Sequence, residues 1–148
     1  MTIHEVLATL KANLKQTDIT LYPGANEQLI QQFEQEMNLV LPADFKVFYS
    51  FCNGFYSARD EFQMIALEEI LDQKHELQPQ QFYLAEVLIY CDVWEVELTN
   101  QPSGYRIHNM GVTLTDSLAA FLNRFLHAGV YQENGLYNWR EEARPLRG

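Results

Sequence analysis

The chain has 148 residues, 47% hydrophobic and 13% aromatic, with 20 acidic against 10 basic side chains for a formal net charge of −10. That is one domain's worth of sequence, enough to bury about 68–70% of the unfolded chain's surface without a disulfide or metal staple, and its aromatic content excludes a disordered chain. The longest stretch without a charge, Val47–Ala58, is too short and too polar for the ~20 apolar residues of a membrane span.

The N-terminus, Met1-Thr2-Ile3-His4-Glu5, has no basic segment followed by an apolar block, which points to a cytoplasmic chain. A first helix is predicted over residues 3–15. Ile3, Val6, Leu7, Leu10 and Leu14 share one face, and Thr2 with Glu5 fits a capping box. Tyr22-Pro23-Gly24 breaks the chain. A second helix is predicted over 27–37, capped by Asn26, with Leu29, Ile30, Phe33 and Met37 on its apolar face. Pro42 opens a third, on which Phe45, Phe48, Tyr49 and Cys52 recur at helical spacing; Asn53-Gly54 supplies the left-handed residues that end helices.

The middle of the chain changes period. Phe62–Ile65 reads as a short strand and Leu67–Gln73 as one or two helical turns. Phe82–Cys91 and Val93–Thr99 read as strands, rich in β-branched and aromatic residues. In the second, Trp94, Val96 and Leu98 share one face and Glu95 and Glu97 the other, the pattern of a strand with one side on a core and one in water. Gln101-Pro102-Ser103-Gly104 is a turn and Tyr105–Asn109 the returning strand. A last helix is predicted over 116–127, with Thr115 or Asp116 at its start and Gly129 at its end. Tyr137 and Trp139 suggest a tail that packs back, followed from Arg140 to Gly148 by a solvated end. The sum is a single α+β domain: an antiparallel-rich sheet of about 4–5 strands flanked by about four helices.

Charge is concentrated. Ten acids and one base, Lys74, lie between residues 60 and 105, a net of −9, while the remainder is nearly neutral. Such a field repels nucleic acid and speeds the encounter with a basic partner; solubility alone is the plainer explanation.

Motifs for chemistry are missing. His4, His75, His108 and His127 stand far apart, and there is no Cys-x-x-Cys or His-Glu-x-x-His. Cys52 and Cys91, in apolar sequence surroundings, read as buried free thiols. No glycine-rich phosphate loop or nucleophile elbow occurs. Glu95 and Glu97 have the same-face spacing of a Mg²⁺-binding pair, but no lysine follows them to hold phosphate. The reading is therefore of no catalytic residue, no metal and no cofactor.

The segment Asn26–Gly54, NEQLIQQFEQEMNLVLPADFKVFYSFCNG, resembles the N-terminal signature of the SUKH superfamily. Glu27, Ile30 with Glu34, Leu41-Pro42, Asp44-Phe45, Phe48 and Asn53-Gly54 carry the resemblance, with Asn38 in place of a usual glycine. More loosely, Phe62–Ile65, Leu67 with Ile70, Val87–Asp92 and Ser117–Leu126 follow the same order of elements. The resemblance implies an α+β domain without enzymatic activity. Its members include fungal cell-wall assembly (glucan synthesis) regulators and bacterial immunity proteins that neutralise toxins, often nucleases.

From resemblance and charge together the expected partner is a protein, a basic toxin domain, with neither nucleic acid nor membrane involved and the oligomeric state left open. Glu95 and Glu97 are the first partner-binding candidates. Asp60, Glu61 and Asp92 come second, because strict alternation puts Asp92 on the other side of its strand unless the chain turns there. Two alternatives stand beside this reading: a regulatory scaffold for an endogenous protein, and, last, an enzyme with a concave pocket of perturbed carboxylates.

Overall fold

The structure is a computed structural model that describes residues 1–100 and 104–144. The described residues form six α-helices and seven strands rather than the expected four helices and four to five strands. In chain order, helix α1 (Ile3–Asn13) is followed by the first strand, β1 (Ile19–Leu21), and then by helices α2 (Glu27–Met37) and α3 (Ala43–Phe51). Strands β2 (Phe55–Ser57) and β3 (Phe62–Met64), helix α4 (Leu67–Asp72) and strands β4 (Gln81–Val87), β5 (Asp92–Leu98), β6 (Tyr105–Asn109) and β7 (Val112–Thr115) follow. Helices α5 (Leu118–Ala128) and α6 (Leu136–Ala143) close the chain. Three of the expected turn residues, Gln101 to Ser103, lie outside the described residues, as do the last four of the expected tail.

All seven strands form one antiparallel meander, each paired with its sequence neighbour. Its register sorts the side chains into two faces. Phe55, Phe62, Met64, Phe82, Trp94, Val96, Tyr105 and Ile107 point to one side and are buried with the apolar faces of the helices. The other side carries the cross-strand rows Thr20–Tyr56–Gln63–Glu86–Val93, Tyr83–Glu95–His108–Thr113 and Gln81–Glu97–Arg106. A bulge at Leu84 shifts the register within β4.

Local chemistry accounts for the helix ends. Thr2 and Glu5 make both capping-box bonds of α1. Asn26 Oδ1 accepts the Leu29 N–H at 2.8 Å, and Asn38 ends α2 in the left-handed conformation, φ 54°. Ser117, not Thr115 or Asp116, caps α5 by accepting the Ala120 N–H. Asn53 is not left-handed; only Gly54 is, at φ 89°. Asn53 instead accepts the Leu67 N–H at 2.9 Å and donates to Glu68 at 2.6 Å, fastening the start of α4 to the end of α3. Pro42 stands one residue before α3, at its cap.

Other signature residues also serve the fold. Ile30 and Phe48 are buried. Glu34 accepts the Leu41 N–H at 2.8 Å and pairs with Lys46 at 3.5 Å. Asp44 accepts the Tyr105 hydroxyl, whose oxygen accepts the Leu118 N–H at 2.6 Å, so one tyrosine joins α3, β6 and α5. Both cysteines are free thiols, but only Cys52 is buried; burial pushes its pKa up to about 12. Cys91 is exposed because the chain turns at residues 88–91 before β5 begins. Among the described residues no helix is long and apolar enough to cross a membrane.

Candidate partner-binding face

The five candidate carboxylates fall into three places. Glu95 and Glu97 lie on the open face of the sheet, two residues apart on β5 and both half-buried. Their cross-strand neighbours are Tyr83 and Gln81 on β4 and His108 and Arg106 on β6. Together with Val93, His108 and Met110 they line a shallow groove of about 350 Å³. His108 is held in place by Thr113 Oγ1, 2.9 Å from its Nδ1, and its Nε2 lies 3.6 Å from Glu97 Oε2. Tyr83 has its phenol pKa raised by burial and then by the charge of Glu95.

Asp92 points the other way, as alternation requires. It shares the helix-side row with Ser57, Phe62 and Val87. Its Oδ2 accepts the Tyr137 hydroxyl at 2.9 Å and Asn109 Nδ2 at 3.1 Å, and it lies 3.5 Å from Arg140 Nη1. Arg140 also donates to Asn109 Oδ1 at 2.7 Å and lies over the Tyr137 ring. This network clamps α6 to the sheet, and it places Arg140 inside the fold rather than at the start of a solvated end. Asp92→Ala leaves the Tyr137 hydroxyl without its acceptor and takes the carboxylate away from Arg140 and Asn109, so the variant is expected to lose about 2 kcal/mol, read as a lower urea midpoint at unchanged m.

Asp60, unlike the half-buried Asp92, is buried. Its Oδ2 accepts the Val130 N–H at 2.9 Å and lies against Gly129, fixing the loop after α5 to the β2–β3 turn. Glu61, the next residue, is exposed and left-handed at φ 51°. A second concave surface of about 330 Å³ lies beside β1, but the carboxylates there are engaged: Asp18 accepts the Ser57 hydroxyl and the Arg59 N–H.

The open face carries a further carboxylate that sequence reasoning passed over. Glu86 sits in the row with Gln63 and Val93, its pKa raised by burial and further by the nearby Glu69. Its Oε2 accepts the Tyr90 N–H at 2.6 Å. Glu69, from α4, accepts the Tyr90 hydroxyl and, at 2.8 Å, Gln63 Nε2; the Tyr22 hydroxyl donates to Gln63 Oε1 at 3.3 Å. Carboxylates and tyrosines thus run from the β1 side of the face to the groove on β5 and β6.

No curated protein matches the chain. A profile of the SMI1 / KNR4 family (SUKH-1) matches residues 24–97, from Gly24 through the signature segment, strands β2 to β4 and most of β5. That span is half of the chain, and it includes Glu34, Asn53 and Gly54, whose bonds and backbone conformation join α2, α3 and α4. The protein belongs to the SMI1 / KNR4 family.

Proposed function

We propose that this chain is a non-catalytic, cytoplasmic immunity protein that neutralises a basic, nuclease-type toxin by covering the surface with which the toxin holds nucleic acid. The observation that carries the reading is the side-by-side placement of Glu95 and Glu97 on the open sheet face, with Tyr83 opposite Glu95 on the neighbouring strand. A toxin that cuts nucleic acid is basic where it grips phosphate. An acidic sheet face with tyrosines at its centre offers that surface both charge and aromatic contact. Glu61 adds to the same field from the end of the sheet, whereas Asp60 and Asp92 act through the fold that positions it.

The test is affinity capture with the tagged protein from its own source lysate, elution by a salt step, identification by mass spectrometry, and then a growth-protection assay with the captured toxin domain. Retention at low salt, release as salt rises, and protection on co-expression are the expected results. The double variant Glu95→Lys/Glu97→Lys is expected to slow association with that domain by about tenfold or more at low ionic strength and to flatten its salt dependence. An unchanged on-rate would remove this face from the interface. Recovery of an endogenous cell-wall or signalling protein, with no protection phenotype, would favour the regulatory scaffold instead.

A further inference from the structure

The β4–β5 turn is built against the usual rules. Leu88, Ile89 and Tyr90 are all left-handed, at φ 53°, 53° and 63°. Left-handed residues normally occur singly and are glycine, asparagine or aspartate, and a β-branched residue there is an outlier. Ile89 is 90% exposed, so no packing within the domain repays that strain. The turn is nevertheless held on both sides. The Leu88 N–H donates to the Glu61 carbonyl at 3.0 Å, the Tyr90 N–H to Glu86 at 2.6 Å, the Tyr90 hydroxyl to Glu69, and the Cys91 N–H to the Val87 carbonyl at 3.0 Å. Strain kept in place by several independent bonds is characteristic of sites that present a side chain to a ligand.

Ile89 does not stand alone. The meander brings the β2–β3, β4–β5 and β6–β7 turns to one end of the sheet. Leu88 and Met110 are exposed in two of these turns, and Tyr131 is exposed in the loop that Asp60 fastens to the third. Around them stand Glu61 and, in the Tyr131 loop, Glu133, both exposed. An exposed apolar tip rimmed by carboxylates matches a concave apolar patch rimmed by lysine or arginine. A second copy of this chain is a poor occupant, because it would bring the same carboxylates and a further net charge of −10.

We propose that the β4–β5 turn, with Ile89 at its tip, is a preorganised apolar anchor that inserts into a pocket of a basic protein partner. The anchor rests on the reading of the chain as a binder of a basic toxin, and it places the apolar contact at the margin of the acidic face. Rigidity of the turn limits the entropy lost on insertion.

The full chain and its Ile89→Gly and Ile89→Asp variants test the anchor with a phage-displayed random dodecapeptide library as probe. Peptides selected on wild type are expected to hold an apolar centre flanked by lysine or arginine. They are expected to bind Ile89→Asp at least tenfold more weakly than wild type. Ile89→Gly, freed of the strain, is expected to melt about 3 °C above wild type while binding the same peptides at least tenfold more weakly. Peptides indifferent to Ile89→Asp, peptides without basic residues, a gel-filtration dimer abolished by Ile89→Asp, or an Ile89→Gly variant melting below wild type would each overturn the anchor. Loss of toxin binding in Glu95→Lys/Glu97→Lys with an indifferent Ile89→Asp overturns the anchor alone; the converse pattern overturns the face and keeps the anchor.

Discussion

Gly54→Ala is expected to destabilise the domain by about 3–5 kcal/mol, the sum of a left-handed backbone penalty and an overpacking term. Gly54 stands at φ 89° between α3 and β2, where the backbone turns back on itself. A Cβ at this position would lie well under 3.0 Å from the Met64 carbonyl oxygen of β3. That oxygen is backbone and has no free side chain to move aside. The Gly54 carbonyl also accepts the Tyr22 N–H at 3.1 Å, so displacing residue 54 disturbs β1 as well. A loss of this size is a third or more of an ordinary domain's stability. Gly104→Ala and Gly111→Ala supply the control. Both glycines are left-handed, at φ 85° and 77°, but open space surrounds the added methyl group. They are expected to cost about 1–2 kcal/mol each. Urea unfolding of the three variants separates crowding from backbone conformation. Equal midpoints for all three would show that the contact with Met64 has no energetic weight.

Phe62→Ala is expected to cost about as much, 3–5 kcal/mol. Phe62 is fully buried and stacks on Phe125 of α5 with ring centroids 4.2 Å apart. It also meets Trp94 edge-on at 5.5 Å and Phe55 at 6.3 Å. Trp94 in turn stacks on Tyr137 of α6 at 5.8 Å. Phe62 is therefore the junction between sheet and closing helices, and its removal leaves a cavity bordered by three rings. Phe62→Leu refills much of that volume and is expected to recover more than half of the loss. Thermal melting of the pair checks this. A Phe62→Leu variant as unstable as Phe62→Ala would mean that ring stacking, rather than filled volume, sets the energy.

How much of this was legible in the sequence depended on element length and on bulges. Helix α2 was read to the residue, because eleven residues display a full apolar stripe and Asn26 marks the start. Strands β1, β2 and β7 went unread: three or four residues are too few to display an alternation. Helix α6 has no side-chain cap at Gly135; it is held by Asp92, which lies 45 residues from Tyr137 in sequence.

The candidate face divided in the same way. Alternation along β5 assigned Glu95, Glu97 and Asp92 to their sides. It failed on β4, where the Leu84 bulge inserts one residue between Tyr83 and Ala85. Counted from the buried Phe82, strict alternation would send Glu86 into the core, whereas the bulge turns it to the open face. Asp60 illustrates the converse difficulty. In sequence it resembles any surface turn aspartate, and only the return of the chain at Val130 reveals it as a buried acceptor.

The order of strands in the sheet bears on how the chain comes to be folded. Because every strand pairs with its sequence neighbour, no pairing has to wait for a distant segment, and loop closure costs little at each step. Hairpins can zip one after another as the chain leaves the ribosome, each adding to an existing edge. Helix α1, made first, packs on α5, made near the end. It therefore stays without that partner until synthesis is almost complete. The slowest event is then expected to be the docking of α1, α5 and α6 on a sheet already formed, so a chain arrested before Leu118 would carry its apolar surface uncovered and invite chaperones.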